Sequence, residues 1–179
     1  MPGSANAPII VTALIGPEDF AWADRLRRAH FPEERNQLPA HLTLFHHLPP
    51  SALDMLKRQL AAEARAAMPP AARVGRLLSL GRGVALGIDS PGLVALRGRI
   101  ADVMQGLLTP QDQAAWRPHI TIQNKVAPSA ARSLLQALRP DFEPRAITLT
   151  GLAAWWYRGG PWEPIAEYRF SRSGRSHRS

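Results

Sequence analysis

The chain has 179 residues, of which 45% are hydrophobic, with no cysteine and a formal net charge of +8. This apolar content is enough to bury a core, which argues against a disordered protein. The lack of cysteine excludes disulfides and thiolate zinc sites, and no segment reaches the roughly 18 uncharged apolar residues that a membrane helix requires. Because the first residues also lack the layout of a signal peptide, we expect a cytoplasmic protein without a membrane partner.

The basic residues are mostly arginine. Twenty of the 22 Lys and Arg residues are Arg, and planar guanidinium groups favour two-point contacts to phosphate. The charge therefore indicates a polyanionic partner such as RNA or a nucleotide. Two simpler explanations stand beside this one. An Ala- and Arg-rich composition also arises from GC-rich coding, and three of the arginines lie in residues 171–179, which we predict to be a disordered basic tail.

The predicted elements alternate between strands and helices along the chain. In the first half, a strand, a helix, a strand, a helix and a β-hairpin follow one another at residues 8–16, 17–31, 41–48, 51–68 and 72–90. In the second half, a helix, a strand, a helix and two strands follow at residues 91–107, 119–126, 128–138, 146–157 and 161–170. Apolar residues at helical spacing indicate the helices, and apolar runs bounded by Gly or Pro indicate the strands. The fold class predicted from this order is α+β.

One segment of the sequence occurs twice. HLTLFHHLPPSA at residues 41–52 and HITIQNKVAPSA at residues 119–130 share a His, a Thr, a Pro, a Ser and an Ala at matching positions. Any strand followed by a helix that starts at Pro favours β-branched residues, Pro and Ser in these places, but it gives no reason for a histidine in both copies. The repeat predicts two related lobes within a single domain that spans residues 1–170.

The repeated strands carry the candidate catalytic residues. Alternation places three side chains of each copy on the face that its helix does not cover: His41, Thr43 and Phe45 in the first, and His119, Thr121 and Gln123 in the second. If a two-fold axis relates the lobes, the two His and two Thr surround one small anion. A neutral imidazole can take the proton of the attacking oxygen while an imidazolium protonates the leaving one, and the hydroxyls can donate to the non-bridging oxygens. The pattern predicts phosphoryl transfer that needs no metal or other cofactor.

Further residues are candidates for substrate binding. Arg117 either contacts a phosphate or marks the exposed start of a strand. In the segment Trp155–Arg158, alternation sends Trp155 and Tyr157 to one face of the strand and Trp156 and Arg158 to the other. One pair is expected in the core, where aromatic residues on strands more often lie, and the other can stack on a base and contact phosphate; Tyr157 and Arg158 are our candidates for these roles. Phe45 on the histidine face is a candidate for stacking on a nucleobase, and Gln123 occupies the matching position in the second copy.

Other chemistries find little support in the sequence. His41 and His47 are six residues apart on a strand, which is roughly 20 Å and too far for one metal ion. No Gly-rich phosphate loop ends in Lys-Ser/Thr, so ATP-driven ligation is unsupported. A non-catalytic module that binds an RNA end or a phosphate stays open as the alternative function.

The two His-x-Thr motifs, HLTL and HITI, resemble those of the two-histidine (2H) phosphoesterase superfamily, and RPHITIQNK with WWYRGGPWEPI is similar to its bacterial 2′-5′ RNA ligase-like members. The resemblance implies two pseudo-symmetric lobes, each an antiparallel sheet with helices outside, and a central cleft that holds both motifs. It also implies action without metal on 2′,3′-cyclic or 2′-5′-linked RNA or nucleotide ends, with 2′-5′ RNA ligation as the reverse reaction. We expect hydrolysis to dominate, since water opens a cyclic phosphate downhill, and we expect a monomer.

Overall fold

The computed structural model describes residues 6–66 and 68–171, and its architecture confirms the predicted α+β class. The strands in this part of the chain are β1 (Ile9–Ile15), β2 (Leu42–Leu48), β3 (Ala72–Ser79), β4 (Val84–Asp89), β5 (His119–Gln123), β6 (Arg145–Ile147), β7 (Leu149–Trp156) and β8 (Glu163–Arg169). The α-helices are α1 (Pro17–His30), α2 (Leu53–Ala66), α3 (Pro91–Val103), α4 (Pro110–Gln113) and α5 (Pro128–Leu138). Nearly all of the predicted basic tail lies outside the described residues.

The strands form one antiparallel sheet with the order β6-β3-β4-β5-β2-β1-β7-β8. This order is symmetric about the boundary between β5 and β2, because β4-α3-β5 on one side repeats the arrangement β1-α1-β2 on the other. Each of these two units is followed by a strand that pairs with the other unit. β3 comes after β1-α1-β2 but pairs with β4, and β7 comes after β4-α3-β5 but pairs with β1. The sheet is therefore continuous, and its two half-sheets each combine strands from both halves of the sequence.

The segment predicted as a single strand at residues 146–157 is two strands in the structure. β6 pairs with β3 on one side of the sheet, β7 pairs with β1 on the other, and only Thr148 separates them. Because successive Cα atoms lie about 3.8 Å apart, the two half-sheets must approach each other at this point, so the sheet is curled. Asp19 of α1 holds the crossing, since its carboxylate accepts hydrogen bonds from the backbone N–H of Thr148 and from Arg145.

The hydrophobic core covers one face of the two central strands. Leu42, Leu44 and Leu48 of β2 are fully buried and belong to the same cluster as Leu56 and Leu60 of α2. Burial of each such side chain stabilises the fold by about 1.5–3 kcal/mol, and this determines which face of β2 is turned toward the core. The intervening polar residues are left on the other face. Among the described residues, no helix has the length and apolar character needed to span a membrane.

Both central strands contain a β-bulge at the same place in the repeat. The residues on either side of Leu44 pair with consecutive residues of β1, so Leu44 is an extra residue in β2. Ile122 is an extra residue in β5 in the same way, opposite consecutive residues of β4. A bulge interrupts the alternation of side chains between the two faces of a sheet. The residues that follow, Phe45 and Gln123, are accordingly buried together with Leu44 and Ile122.

Candidate active site

The two His-x-Thr motifs meet where β2 and β5 pair. Leu42 is paired with Ile120 in antiparallel register. Counting one residue along each strand, this register brings four side chains together on the face opposite the core, in two facing pairs: His41 with Thr121 and Thr43 with His119. The two histidines are diagonal neighbours, and residues in such positions are generally roughly 7–8 Å apart. The four predicted catalytic residues thus lie on the same face of the two paired strands.

Both imidazoles are oriented by the same hydrogen bond. The Nδ1 of His41 lies 2.8 Å from the carbonyl oxygen of Pro39, and the Nδ1 of His119 lies 2.7 Å from that of Arg117. A carbonyl oxygen only accepts, so Nδ1 carries the proton and donates in each case. The Nε2 atom of each ring is therefore the one available for proton transfer to or from a ligand.

His41 has a distinctive environment. Its ring is partly buried and contacts the ring of Trp162 edge-on, with centroids 4.7 Å apart. Burial disfavours the charged imidazolium and is the largest cause, the Pro39 carbonyl acts in the opposite direction, and nearby cationic groups add to the effect of burial; together they lower the pKa of His41 to about 4. His41 is consequently neutral near pH 7 and able to accept a proton at Nε2.

An apolar cavity of about 340 Å³ opens beside His41. Its walls include Phe20, Leu38, Trp155 and Trp162. The indole N–H of Trp155 donates to the hydroxyl of Thr12 at 2.9 Å, which fixes one wall. Such walls suit a flat aromatic ring. Sequence analysis did not identify Trp162 as a site residue, because the loop and strand that carry it are remote from both motifs and show no distinguishing periodicity.

Two buried arginines bind the backbone of the central strands. Arg27 of α1 donates to the carbonyl oxygen of Thr121 at 3.0 Å, and Arg97 of α3 donates to that of Leu44 at 2.8 Å. Leu42 and Ile120 form the paired position of β2 and β5, and both carbonyls lie within two residues of it. Burial lowers the pKa of both guanidinium groups, which nevertheless remain protonated. Sequence analysis missed both residues, since charged positions on amphipathic helices are usually exposed.

The structure contradicts the predicted placement of Phe45 and Gln123 on the histidine face. Phe45 is 0% exposed, and the guanidinium carbon of Arg97 lies 4.5 Å from its ring centroid. Gln123 is 7% exposed, and its Oε1 has no hydrogen-bond partner within the described part of the chain. The bulges explain both corrections, because they turn these side chains away from the histidine face.

The other predicted substrate-binding residues are on the surface. Arg117 is exposed beside His119. Tyr157 is 43% exposed and lines a second cavity of about 300 Å³. Arg158 is exposed and donates through Nε to the carboxylate of Glu163 at 2.8 Å, so part of its charge is already compensated. Contact of Arg117, Tyr157 and Arg158 with a substrate stays a prediction.

His46 has a structural partner. The buried carboxylate of Asp112 accepts hydrogen bonds from the backbone N–H groups of His46 and His47 and contacts Nδ1 of His46 at 3.1 Å. Burial by itself raises the pKa of Asp112, but these hydrogen bonds outweigh it, and the pKa is lowered. Asp112 thereby ties the segment after α3 to β2. Across residues 6–66 and 68–171, no group of three or more His, Asp or Glu side chains is placed to hold a metal ion.

Comparison with known proteins adds the family. The sequence model of the 2′-5′ RNA ligase superfamily matches residues 15–161. No curated protein matches the chain at a significant level. Among solved structures, E. coli LigT complexed with 3′-AMP is 16% identical, with a TM-score of 0.63 over 93% of this chain and 99% of LigT. TT0787 of Thermus thermophilus is 15% identical, with a TM-score of 0.65 over 93% of this chain and 99% of its own.

At such identities these structures show a common fold. A third similar structure, described as a phosphoesterase, is 18% identical, with a TM-score of 0.60 over 93% of this chain and 99% of that protein. The match to the sequence model is evidence for the family itself, because it covers residues 15–161, which contain both His-x-Thr motifs and most of the sheet. In agreement with its resemblance to the 2H phosphoesterases, the chain therefore belongs to the 2′-5′ RNA ligase superfamily.

Proposed function

We propose that this chain is a phosphodiesterase that hydrolyses 2′,3′-cyclic phosphates or 2′-5′ linkages at RNA or nucleotide ends, with its two histidines as general base and general acid. The pairing of Leu42 with Ile120 carries the proposal, since it gathers two His-x-Thr pairs on one open face. The nucleotide ligand is supported by the common fold with E. coli LigT, which has been crystallised with 3′-AMP and with NADP+. When a ribose 5′-hydroxyl takes the place of water, its oxygen attacks a 2′,3′-cyclic phosphate, the bond from phosphorus to the 3′-oxygen breaks, and the same residues join two ends through a 2′-5′ linkage.

The proton transfers balance within the histidine pair. Nε2 of His41 takes a proton from water, whose oxygen attacks the phosphorus atom. The bond between phosphorus and one ribose oxygen breaks, and Nε2 of His119 gives its proton to that oxygen. The hydroxyls of Thr43 and Thr121 donate to the non-bridging oxygens, where negative charge rearranges. The product is a phosphate monoester, and solvent restores the two protonation states.

The surroundings of His41 support its assignment as the base. Its pKa of about 4 keeps the imidazole neutral near pH 7, and a general base must be unprotonated. With His41 as the base, the role of general acid falls to His119, the histidine at the diagonal position. The two Nδ1 hydrogen bonds hold both Nε2 atoms in position throughout the reaction.

Turnover by the purified full-length chain tests the proposal. We expect it to convert 2′,3′-cyclic nucleotides, cyclic-ended RNA or 2′-5′-linked dinucleotides to the corresponding hydrolysis products, separated by chromatography, and to do so in the presence of a chelator. His41→Asn and His119→Asn should each lower kcat by about 10²- to 10⁴-fold with an unchanged melting temperature. His47→Asn is the matched control, because His47 is exposed and lies beyond the site.

A chain that binds these substrates but turns over none of them contradicts the proposal and supports the alternative, a non-catalytic module that binds RNA ends. The pH dependence distinguishes the two functions further. Catalysis by a base and an acid gives a bell-shaped profile of kcat/KM, whereas binding alone does not require one neutral and one protonated imidazole.

A further inference from the structure

Resting on the proposed function, we infer that Arg35, Arg82 and Lys125 form a second phosphate-binding site, the basic subsite, which holds the backbone phosphate next to the reacting end. The preferred substrate is then an RNA strand rather than a mononucleotide. The three side chains come from three separate segments: the 3₁₀ turn Glu33–Arg35, the hairpin between β3 and β4, and the turn after β5. Together with Asn124 they line a cavity of about 440 Å³.

The basic subsite is continuous with the space beside the central strands. Arg35 and Lys125 also line the cavity of about 300 Å³ that contains Arg27, whose guanidinium binds the backbone of Thr121. Lys125 is four residues from Thr121, so their Cα atoms are at most about 14 Å apart. A phosphate at the basic subsite is therefore within reach of a nucleotide that adjoins the reacting phosphorus.

The hairpin that carries Arg82 is held against the end of β5. The backbone N–H of Val126 donates to the carbonyl of Arg82, and Nε of Arg82 donates to the carbonyl of Val126, each at 3.1 Å. A Cβ atom on Gly83 would lie 1.9 Å from the carbonyl oxygen of Gln123, so only glycine permits this approach. Within the described part of the chain, these bonds use Nε and leave the two Nη groups of Arg82 to donate to a ligand.

Lys125 is held in an unfavourable backbone conformation. Its φ is 63°, in the left-handed region, and no other non-glycine residue among those described has a positive φ. The side chain of Asn124 accepts a hydrogen bond from the backbone N–H of Lys125 at 2.9 Å and stabilises the turn. Such conformations cost free energy and concentrate at ligand-binding and catalytic sites. The turn presents a lysine where asparagine or glycine would fit more readily.

The basic subsite is positively charged. Across residues 6–66 and 68–171, no carboxylate forms an ion pair with Arg35, Arg82 or Lys125. Glu34 lines the adjoining cavity and is not among the residues that line the basic subsite. Guanidinium and ammonium groups bind phosphate oxygens through charge-assisted hydrogen bonds. An RNA strand supplies such a phosphate beyond its reacting end, whereas a cyclic mononucleotide does not.

Two matched triple variants test the inference. In the first, Arg35→Gln, Arg82→Gln and Lys125→Asn remove the charges, and asparagine is chosen because it tolerates the left-handed conformation. In the control, Arg58→Gln, Arg65→Gln and Arg132→Gln remove three charges from exposed positions on α2 and α5. We expect the first variant to lower kcat/KM for short cyclic-ended RNA by about tenfold or more, through KM, and to leave that for the cyclic mononucleotide unchanged. The control should leave both unchanged.

Binding of a short RNA that ends in a 3′-phosphate gives a readout independent of turnover. In fluorescence anisotropy, the slope of log affinity against log salt should become shallower by about 0.7 in the first variant, as the loss of one phosphate contact to a single strand predicts. Equal losses in both variants, equal losses for RNA and mononucleotide, or no loss at all would overturn the inference. If the wild-type chain turns over neither substrate, the proposed function fails while the salt dependence still decides whether the basic subsite exists.

Discussion

The two His-x-Thr motifs share a backbone arrangement and differ in what surrounds them. In both, the Nδ1 atom of the histidine donates to the carbonyl two residues earlier, and a bulge begins one residue after the threonine. The ring of His41 contacts Trp162 and borders the apolar cavity. His119 instead follows the exposed Arg117. Repetition of the strand thus produces two equivalent Nε2 atoms, and the surroundings, which are not repeated, distinguish them chemically.

A substrate with a good leaving group gives the largest expected difference between the two histidines. Nitrophenolate leaves without protonation, so a nucleoside 3′-(p-nitrophenyl phosphate) needs the base but not the acid. We expect His119→Asn to keep most of its activity on this diester, while His41→Asn should stay about 10²- to 10³-fold below the wild type. The absorbance of released nitrophenolate measures both. The opposite pattern would exchange the assigned roles of the two residues.

The pH at which the acid limb of the kcat/KM profile falls should reflect the buried environment of His41. We expect kcat/KM to fall as pH decreases through about 4, because that is the pKa at which His41 becomes protonated. Trp162→Ala admits water to the ring and should move this limb upward, toward the ordinary histidine pKa of about 6.5. Tyr157→Ala removes an exposed aromatic side chain and should leave the limb in place. An acid limb that is the same in Trp162→Ala would show that this contact does not set the pKa.

The same pKa affects folding stability with a defined sign. The pKa of His41 is lower in the folded chain than the unfolded value of about 6.5, so the unfolded chain binds the proton first as pH falls. The contribution of the neutral His41 to folding stability is fully present above about pH 6.5 and is lost as pH falls toward 4. Chemical denaturation across that range should show a smaller loss in Trp162→Ala than in the wild type.

The smallest expected effects concern the residues after the bulges. Phe45 is packed in the core, so Phe45→Leu should lower the free energy of unfolding by about 1 kcal/mol. Gln123→Leu removes a buried oxygen that lacks a partner among the described residues, and should leave the free energy unchanged or raise it by up to about 1 kcal/mol. Chemical denaturation measures both changes. KM should be unaffected by either variant, and a rise in KM without a change in stability would restore the predicted role in substrate binding.

The sequence alone predicted the order of elements and the candidate site residues to different degrees. Helical spacing and apolar runs are local patterns, and the predicted helices and strands correspond to those observed apart from the division at Thr148 and the short helix α4, which was not predicted. That division depends on which strands accept the two segments, which no local pattern specifies. Trp162 and Arg27 were missed for a similar reason, since they come from remote segments and act through tertiary contacts.

By itself, the sequence determined the α+β class, the repeated strands and the four residues of the two His-x-Thr motifs, because alternation and repetition are properties of neighbouring residues. Only the tertiary structure decided the register that joins Leu42 to Ile120 and the bulges that bury Phe45 and Gln123. Register and bulges result from pairing with strands distant in sequence. The difference between the two histidines likewise depends on burial, which sums contacts from the whole chain.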